Sequence, residues 1–156
     1  MKKNSGFSLI ELIVVLGILW TLFGFIVIGL STSQRRFSVT SARDTLISDI
    51  ASQQTKSMNS ISGSSAYGIY FQPGKYTLFK GETYSASDPE NFEVELGENL
   101  EFSQVTFPAA TIIFATKSGE ISGFLDGANI ITIRDVQNID STTVTINRYG
   151  VITDIN

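Results

Sequence analysis

The chain of 156 residues is long enough for one membrane helix and one globular domain of about 120 residues. It contains no cysteine and no histidine, which excludes disulfide bonds, thiolate and histidine metal sites, and Ser-His-Asp or Cys-His nucleophiles. The formal net charge is −4, but residues 37–156 hold 7 basic and 14 acidic residues, and this acidic balance disfavours nucleic acid as a partner.

The segment from Phe7 to Leu30 is apolar and carries one charge, Glu11. As a helix, its 24 residues would be about 36 Å long, enough to cross a hydrocarbon core of about 30 Å. A carboxylate inside such a helix costs on the order of 2.5 to 3.5 kcal/mol on insertion scales, so Glu11 requires a partner. A cut between Gly6 and Phe7 would free an α-amine four residues before Glu11, on the same helical face.

Two other interpretations of this segment are open. A secretory signal has an apolar region of roughly 7 to 15 residues and a small-x-small cleavage site after it, whereas this apolar run is longer and carries its acid near the start. A plain membrane anchor fits the length but gives Glu11 no role. The pattern favours the processed helix, with the plain anchor as the alternative.

The N-terminal residues KKNSG-FSLIEL resemble the type III signal of type IV prepilins and type II secretion pseudopilins. The resemblance implies that Lys2 and Lys3 form the basic leader. It implies that prepilin peptidase, which is also the N-methyltransferase, cuts after Gly6 and methylates Phe7. It further implies that Glu11 pairs with the N-terminus of a neighbouring subunit during filament assembly.

The same resemblance implies the partners and the location of the protein. Its partners would be other pilin or pseudopilin subunits and the inner-membrane assembly platform. The chain would cross the cytoplasmic membrane once, with the leader in the cytoplasm and the globular domain outside it. The subunit would then assemble into an extracytoplasmic filament.

Beyond Arg36 an amphipathic pattern begins, with apolar residues in steps of three and four that are interrupted at Gln54. This pattern predicts that the helix continues to about Ser60 and packs its apolar stripe on a sheet, and Gly63 and nearby serines would end it. The stripe consists of Val39, Ala42, Leu46, Ile50, Met58 and Ile61. The predicted organisation is a leader at 1–6, a transmembrane and assembly helix at 7–30, an amphipathic continuation at 31–62 and a β-rich domain at 63–156.

Residues after 65 alternate between apolar and polar types, which is typical of strands. YGIYF and KYTLFK flank Pro73-Gly74 and predict a hairpin, and Asp126-Gly127 is also typical of a hairpin turn. Further runs are FEVEL (92–96), LEFSQVTF (100–107), TIIFA (111–115), EISGFL (120–125), NIITIR (129–134), TTVTINR (142–148) and VITDI (151–155). The spacing predicts an α+β fold, with the long N-terminal helix packed on a C-terminal antiparallel β-sheet or small β-sandwich.

The length of the helix, the YGIYF and KYTLF pair and the closing TTVTINRYGVIT resemble the GspH/FimT branch of pilin-like proteins. This resemblance implies a pilin-like β-sandwich that ends in a strand-Gly-strand element. In FimT-type DNA receptors this end carries extra arginines. Here Arg148 stands almost alone and Asp154 follows it.

Two groups of side chains are candidates for binding. A run of acidic residues without intervening basic ones could bind Ca²⁺, which takes about six to eight oxygen ligands, or a partner protein, but no EF-hand spacing occurs. The alternation of Glu93 and Glu95 with apolar residues favours a solvated strand face instead. The acidic run consists of Glu82, Asp88, Glu90, Glu93, Glu95, Glu98 and Glu101. The aromatic residues Tyr67, Tyr70, Phe71, Tyr76 and Phe79 could stack bases or sugars, but alternation favours core positions for several of them.

No motif supports Ser-Lys or paired-carboxylate catalysis, so the chain is interpreted as a non-enzyme without a cofactor. The leading hypothesis is a minor pilin or pseudopilin. One alternative is a tip subunit that binds DNA, a surface or an exoprotein through the acidic loop between Glu82 and Glu101. A second alternative is a membrane-anchored domain outside any filament.

Overall fold

The computed structural model describes residues 9–60, 65–137 and 140–156, and the side chains in these ranges except those of residues 24–38. The chain divides into two compact units, Met1–Arg36 and Phe37–Asn156. The helix α1 runs over Leu9–Met58 and so contributes residues to each unit. All the strands belong to the second unit.

The part of α1 in the second unit carries the predicted apolar stripe. Val39, Leu46 and Ile50 are buried in the hydrophobic core, and Ala42 packs against it. The predicted amphipathic pattern is therefore confirmed over this part. Met58 is an exception, because it is the last helical residue and its side chain is 49% exposed.

The strands form two four-stranded sheets in which all neighbouring strands are antiparallel. The first sheet has the order β3-β2-β1-β5, with β1 at Tyr67–Gln72, β2 at Lys75–Lys80, β3 at Phe92–Glu95 and β5 at Thr111–Phe114. The second sheet has the order β4-β6-β7-β8, with β4 at Leu100–Val105, β6 at Ile130–Asp135, β7 at Ser141–Ile146 and β8 at Ile152–Ile155. A short 3₁₀ helix at Pro108–Ala110 leads into β5.

One hydrophobic core joins the helix to both sheets. Leu46 of the helix belongs to the same buried cluster as Ile69 and Phe114 of the first sheet and Ile133 and Val144 of the second. Burying side chains of this size stabilises the fold by about 1.5 to 3 kcal/mol each relative to exposure. The predicted α+β class, with a helix packed on antiparallel sheets, is confirmed.

The predicted hairpin around Pro73-Gly74 is confirmed. Gln72 pairs with Lys75 on either side of the two-residue turn, so that Phe71 lies opposite Tyr76. The alternation in YGIYF therefore places Ile69 and Phe71 in the core and Tyr70 on the opposite face of the sheet. This face carries the groove described below.

The prediction of a strand at EISGFL is wrong. Ile121 makes an isolated bridge to Phe114, and the chain turns directly after it. The amide of Ile121 donates to the carbonyl of Arg148, while the amide of Ser122 donates to that of Ile113, both at 2.8 Å. Ile113 lies in β5 and Arg148 lies in the turn between β7 and β8, so the segment links the first sheet to this turn and does not add a strand to either sheet.

Asp126-Gly127 forms a turn, but the predicted hairpin is wrong. The amide of Ala128 donates to the carbonyl of Leu125 at 3.0 Å, and Gly127 has a φ of 81°. The turn lies in the connection from β5 to β6, and these strands belong to different sheets. A local turn signal does not determine whether the flanking strands pair.

Candidate functional site

The first unit presents a continuous apolar surface on α1, here called the assembly segment (Leu9–Phe23). Each side chain of this segment is exposed, from 46% at Val15 to 76% at Leu9 among the large apolar ones. Glu11 lies in the first turn of the helix and is also exposed. Soluble monomers rarely expose an apolar surface of this extent, so the assembly segment requires lipid or another protein surface.

The predicted processing residues Lys2, Lys3, Gly6 and Phe7 lie outside the described residues. Their roles in the leader and at the cleavage site therefore stay predictions. Within the described parts of the chain, no helix has both the length and the apolar character that crossing a membrane requires.

A polar cluster, here called the helix anchor (Gln53, Gln54 and Ser57), attaches the last turns of α1 to both sheets. Gln53 is buried, and its Nε2 donates to the carbonyl of Gly68 in β1 at 3.0 Å. Ser57 Oγ accepts a hydrogen bond from the amide of Tyr67 at 2.9 Å. These two contacts join the helix to the first sheet.

Gln54 supplies the attachment to the second sheet. Its Nε2 donates to the carbonyl of Gly119 at 2.9 Å and to the carbonyl of Tyr149 at 2.6 Å. Gly119 follows β5 in the first sheet, whereas Tyr149 lies in the turn between β7 and β8. The polar interruption of the apolar stripe is therefore a contact that joins three elements. Sequence reasoning noted the interruption but missed its role.

The turn between β7 and β8 is built around Asn147 and Gly150. Asn147 Oδ1 accepts hydrogen bonds from the amides of Tyr149 and Val151, both at 3.0 Å. Gly150 has a φ of 72°, and a Cβ added there would lie 2.5 Å from Nε2 of Gln54. Glycine is thus required both by the backbone conformation and by the close approach of the helix anchor. The chain ends in a strand-glycine-strand element.

Arg148 lies in this turn with an acidic neighbour. Its guanidinium is 3.8 Å from Glu120 Oε2, and its side chain is 61% exposed. The guanidinium also lies 5.9 Å from the centre of the Tyr149 ring. An arginine that is already paired with a carboxylate contributes less to a phosphate-binding surface than a free one.

Tyr76 makes a further polar contact between α1 and the first sheet. The hydroxyl of this buried residue donates to Asp49 Oδ2 at 2.5 Å. Burial raises the pKa of Tyr76, and the hydrogen bond to Asp49 raises it further. The neutral phenol is therefore the form that the fold stabilises.

The acidic run is not a single surface. Glu93 and Glu95 lie exposed on β3 of the first sheet, as predicted for a solvated strand face, whereas Glu101 lies on β4 of the second sheet. Glu93 pairs with Lys75 at 2.7 Å, and this hydrogen bond raises the pKa of Lys75. In the described ranges, no group of three acidic side chains is placed to hold a metal ion. Binding of Ca²⁺ and the lack of a cofactor stay predictions.

Two more of these acids, one in the loop before β3 and one on β4, form ion pairs with basic residues of strands. Glu90 pairs with Lys80 at 3.2 Å, and Glu101 pairs with Arg134 at 2.6 Å. The exposed pair of Glu90 with Lys80 contributes little stability, about 0 to 1 kcal/mol, whereas the pair of Glu101 with Arg134 is partly buried. They do neutralise part of the negative charge that the sequence concentrates in this region.

The aromatic residues of the hairpin divide between core and surface. Phe71 and Tyr76 lie in the core, as predicted, whereas Phe79 is buried on the opposite face of the sheet, and Tyr67 and Tyr70 are half-buried. The ring of Phe79 lies opposite Gly68 and fills the space that a side chain on this glycine would occupy.

A family model described as the prokaryotic N-terminal methylation motif matches residues 1–30. No curated protein and no solved structure matches the chain. The motif supports a type IV pilin-like precursor that prepilin peptidase processes and that assembles with other pilin subunits in a membrane-anchored filament. It also favours a structural subunit over an enzyme. The match ends at residue 30 and therefore does not describe the two sheets.

Proposed function

We propose that the chain is a minor pilin or pseudopilin of a type IV pilus-like or type II secretion filament. Prepilin peptidase cuts it after Gly6 and methylates Phe7. Residues 7–30 hold the precursor in the cytoplasmic membrane, with the globular domain outside the cytoplasm and the assembly platform as the next partner. The observation that carries this proposal is the methylation motif at residues 1–30, which includes the exposed apolar assembly segment.

The assembly segment must be kept out of water both before and after filament formation. Twelve of its side chains are large and apolar, and each is at least 46% exposed. Relative to exposure to water, burying the exposed part of so many side chains is favourable by on the order of 10 kcal/mol or more. This surface is buried by lipid in the precursor and by neighbouring subunits in the filament.

Glu11 sets the register of the subunits in this proposal. A carboxylate among apolar helices is costly unless it is paired, and the methylated amine of Phe7 on a neighbouring subunit provides the pair. The ion pair between the amine and the acid therefore fixes the axial position of each subunit relative to its neighbour. Apolar packing alone has no such directional preference.

Replacement of Glu11 tests this role. Glu11→Val should leave membrane insertion and cleavage intact but reduce the amount of the subunit in sheared filaments by about tenfold or more, because the amine is left unpaired. Glu98→Gln removes an exposed acid of the globular domain and should assemble like the parent chain. Normal assembly of Glu11→Val would refute the role of Glu11 in register.

Processing is tested separately from assembly. The intact mass and the N-terminal peptide of the membrane-extracted protein should show a chain that begins at methylated Phe7, and this form should appear when prepilin peptidase is present. An unprocessed Met1 with and without the peptidase would refute the proposal and favour a membrane-anchored domain outside any filament.

DNA uptake is an alternative function that the negative charge of residues 37–156 disfavours. Residues 37–156 contain twice as many acidic as basic residues, and Arg148 is paired with Glu120. Non-specific DNA affinity arises mainly from unpaired lysine and arginine side chains. We therefore expect no retention of the detergent-solubilised full chain on immobilised duplex DNA at about 150 mM salt. Retention that disappears in Arg148→Gln would revive the DNA-uptake hypothesis.

A further inference from the structure

A groove lies on the face of the first sheet opposite the core. Its volume of about 420 Å³ is within the usual range for ligand pockets. Its floor is formed by residues of β1 and β5 that alternate with core residues. The groove, here called the outer groove, has Tyr70, Thr111 and Ile113 as its floor, Glu82–Tyr84 as one wall, and Phe107–Ala109 with Ile121–Gly123 as the opposite walls.

One wall of the outer groove is aromatic and held in place. The ring of Tyr84 stacks on Tyr70, with the ring centres 4.2 Å apart and the planes at 18°, and it makes an edge-to-face contact with Phe79, with the ring centres 5.5 Å apart. The amide of Gly81 donates to the carbonyl of Ala66 at 2.8 Å, which fixes the start of this loop. The aromatic surface is therefore formed before any ligand arrives, so binding does not require the loop to become ordered.

The opposite wall contains a strained backbone. Ala109 and Ala110 have φ values of 51° and 49°, in the left-handed region that residues with a side chain rarely adopt. Hydrogen bonds from the amide of Ala110 to Phe107 at 3.0 Å and from Thr111 Oγ1 to Ala109 at 2.9 Å hold this conformation. Strain of this kind clusters at binding sites. The small side chain of Ala109 also leaves this wall of the groove open.

The charges around the outer groove determine which ligand it accepts. No lysine or arginine lines it, whereas Glu82 is exposed at its rim and makes no ion pair among the described residues. A cation beside tyrosine rings and a carboxylate gains both cation–π and Coulomb attraction. The acidic balance of residues 37–156 attracts cations and repels anions in the same way.

We propose that the outer groove binds a lysine or arginine side chain presented by an extended segment of a partner protein. The charged end lies between Glu82 and the Tyr70–Tyr84 pair, and the aliphatic stem packs on Ile113 and Pro108. The hydroxyls of Thr83 and Ser122, which also line the groove, are positioned to bond with the backbone of the segment. This interaction does not depend on processing at Gly6 or on entry into a filament.

The experiment uses the full chain in detergent micelles and a fluorescein-labelled, acetylated seven-residue peptide with arginine at its centre. A matched peptide carries citrulline, which has nearly the same shape but no charge. Fluorescence anisotropy should give a Kd about fivefold weaker for the citrulline peptide. Equal binding of the two peptides, or no binding of the arginine peptide at millimolar concentration, would overturn the proposal.

Matched variants locate the interaction on the chain. Glu82→Gln should weaken arginine-peptide binding about fivefold, whereas Glu98→Gln, which removes the same charge from an exposed site outside the groove, should not. Ser122→Lys places a competing cation on the opposite wall and should also weaken binding. Equal losses in both glutamine variants would mean non-specific attraction and contradict the proposal. Binding of an uncharged chito-oligosaccharide that Glu82→Gln leaves unchanged would instead identify a sugar site.

Discussion

Replacing Gln54 with alanine removes the contact that joins the helix to both sheets. The parent Nε2 donates two hydrogen bonds, to the carbonyl of Gly119 at 2.9 Å and to that of Tyr149 at 2.6 Å. Gly119 is buried, so water cannot replace the lost donor there, whereas Tyr149 is 57% exposed and its carbonyl is more accessible to solvent. The two bonds are therefore not of equal value.

The expected loss follows from these surroundings. A neutral hydrogen bond contributes about 0.5 to 1.5 kcal/mol net, and the upper part of this range applies to the buried carbonyl of Gly119. Alanine is a better helix former than glutamine by a few tenths of a kcal/mol, which offsets a small part of the loss. We expect Gln54→Ala to lower the free energy of unfolding by about 1 to 2.5 kcal/mol.

Gln54→Glu provides a second test of these hydrogen bonds, since it replaces the donor with an acceptor of almost the same shape. A carboxylate facing two carbonyl oxygens is repelled by both, so this variant should lose more stability than Gln54→Ala at neutral pH. A protonated carboxyl group can donate one hydrogen bond. Relative to the parent chain at the same pH, the glutamate variant should therefore regain part of its stability near about pH 4.

Urea unfolding of the detergent-solubilised chain, followed by the near-UV circular dichroism of the tyrosines, measures these differences. Ser48→Ala changes an exposed polar residue of the same helix and should stay within about 0.5 kcal/mol of the parent. If Gln54→Ala is as stable as this control, and Gln54→Glu is no worse than Gln54→Ala, the helix anchor has no energetic role.

Two further predictions concern the contacts around the helix anchor. Gly150→Ala should cost about 1 kcal/mol or more because of its φ of 72° and the approach of Gln54, whereas Gly74→Ala, with open space around it, should cost less in the same unfolding assay. Burial and, to a lesser degree, the hydrogen bond to Asp49 raise the pKa of Tyr76. The stabilisation of the fold by the neutral phenol is therefore present below about pH 10 and is lost as the pH rises above it. In an ultraviolet titration, Tyr76 should ionise only when the fold opens, and the Tyr76→Phe variant should lack this late step. Ionisation of all five tyrosines while the chain is still folded would contradict this prediction.

Local sequence patterns were sufficient to predict the elements whose hydrogen bonds are local. The hairpin at Pro73-Gly74 has two alternating runs next to one turn, so its register follows from the turn length. The apolar stripe of α1 was predicted from its period for the same reason. The run at EISGFL has a similar alternation, but its amides donate to β5 and to the turn between β7 and β8, and the sequence does not show which elements will be near it.

The ion pairs could not be predicted from the sequence either, because they depend on strand order. The acidic run appeared unpaired since no basic residue occurs within it. In the fold, β3 lies beside β2 and β4 lies beside β6, which brings Lys75 to Glu93 and Arg134 to Glu101. Tyr84 was missed as well, because its stacking on Tyr70 depends on how the loop after β2 returns over the sheet.

The helix anchor explains why a polar residue interrupts an otherwise regular stripe. Apolar packing of Val39, Leu46 and Ile50 stabilises the fold, yet a stripe with a period of three to four residues packs almost as well after a shift of one turn. Gln54 has acceptors on two separate turns, and a one-turn shift of about 5.4 Å would break both hydrogen bonds. The stripe therefore provides most of the stabilisation, and the interruption fixes the position of the helix on the sheets.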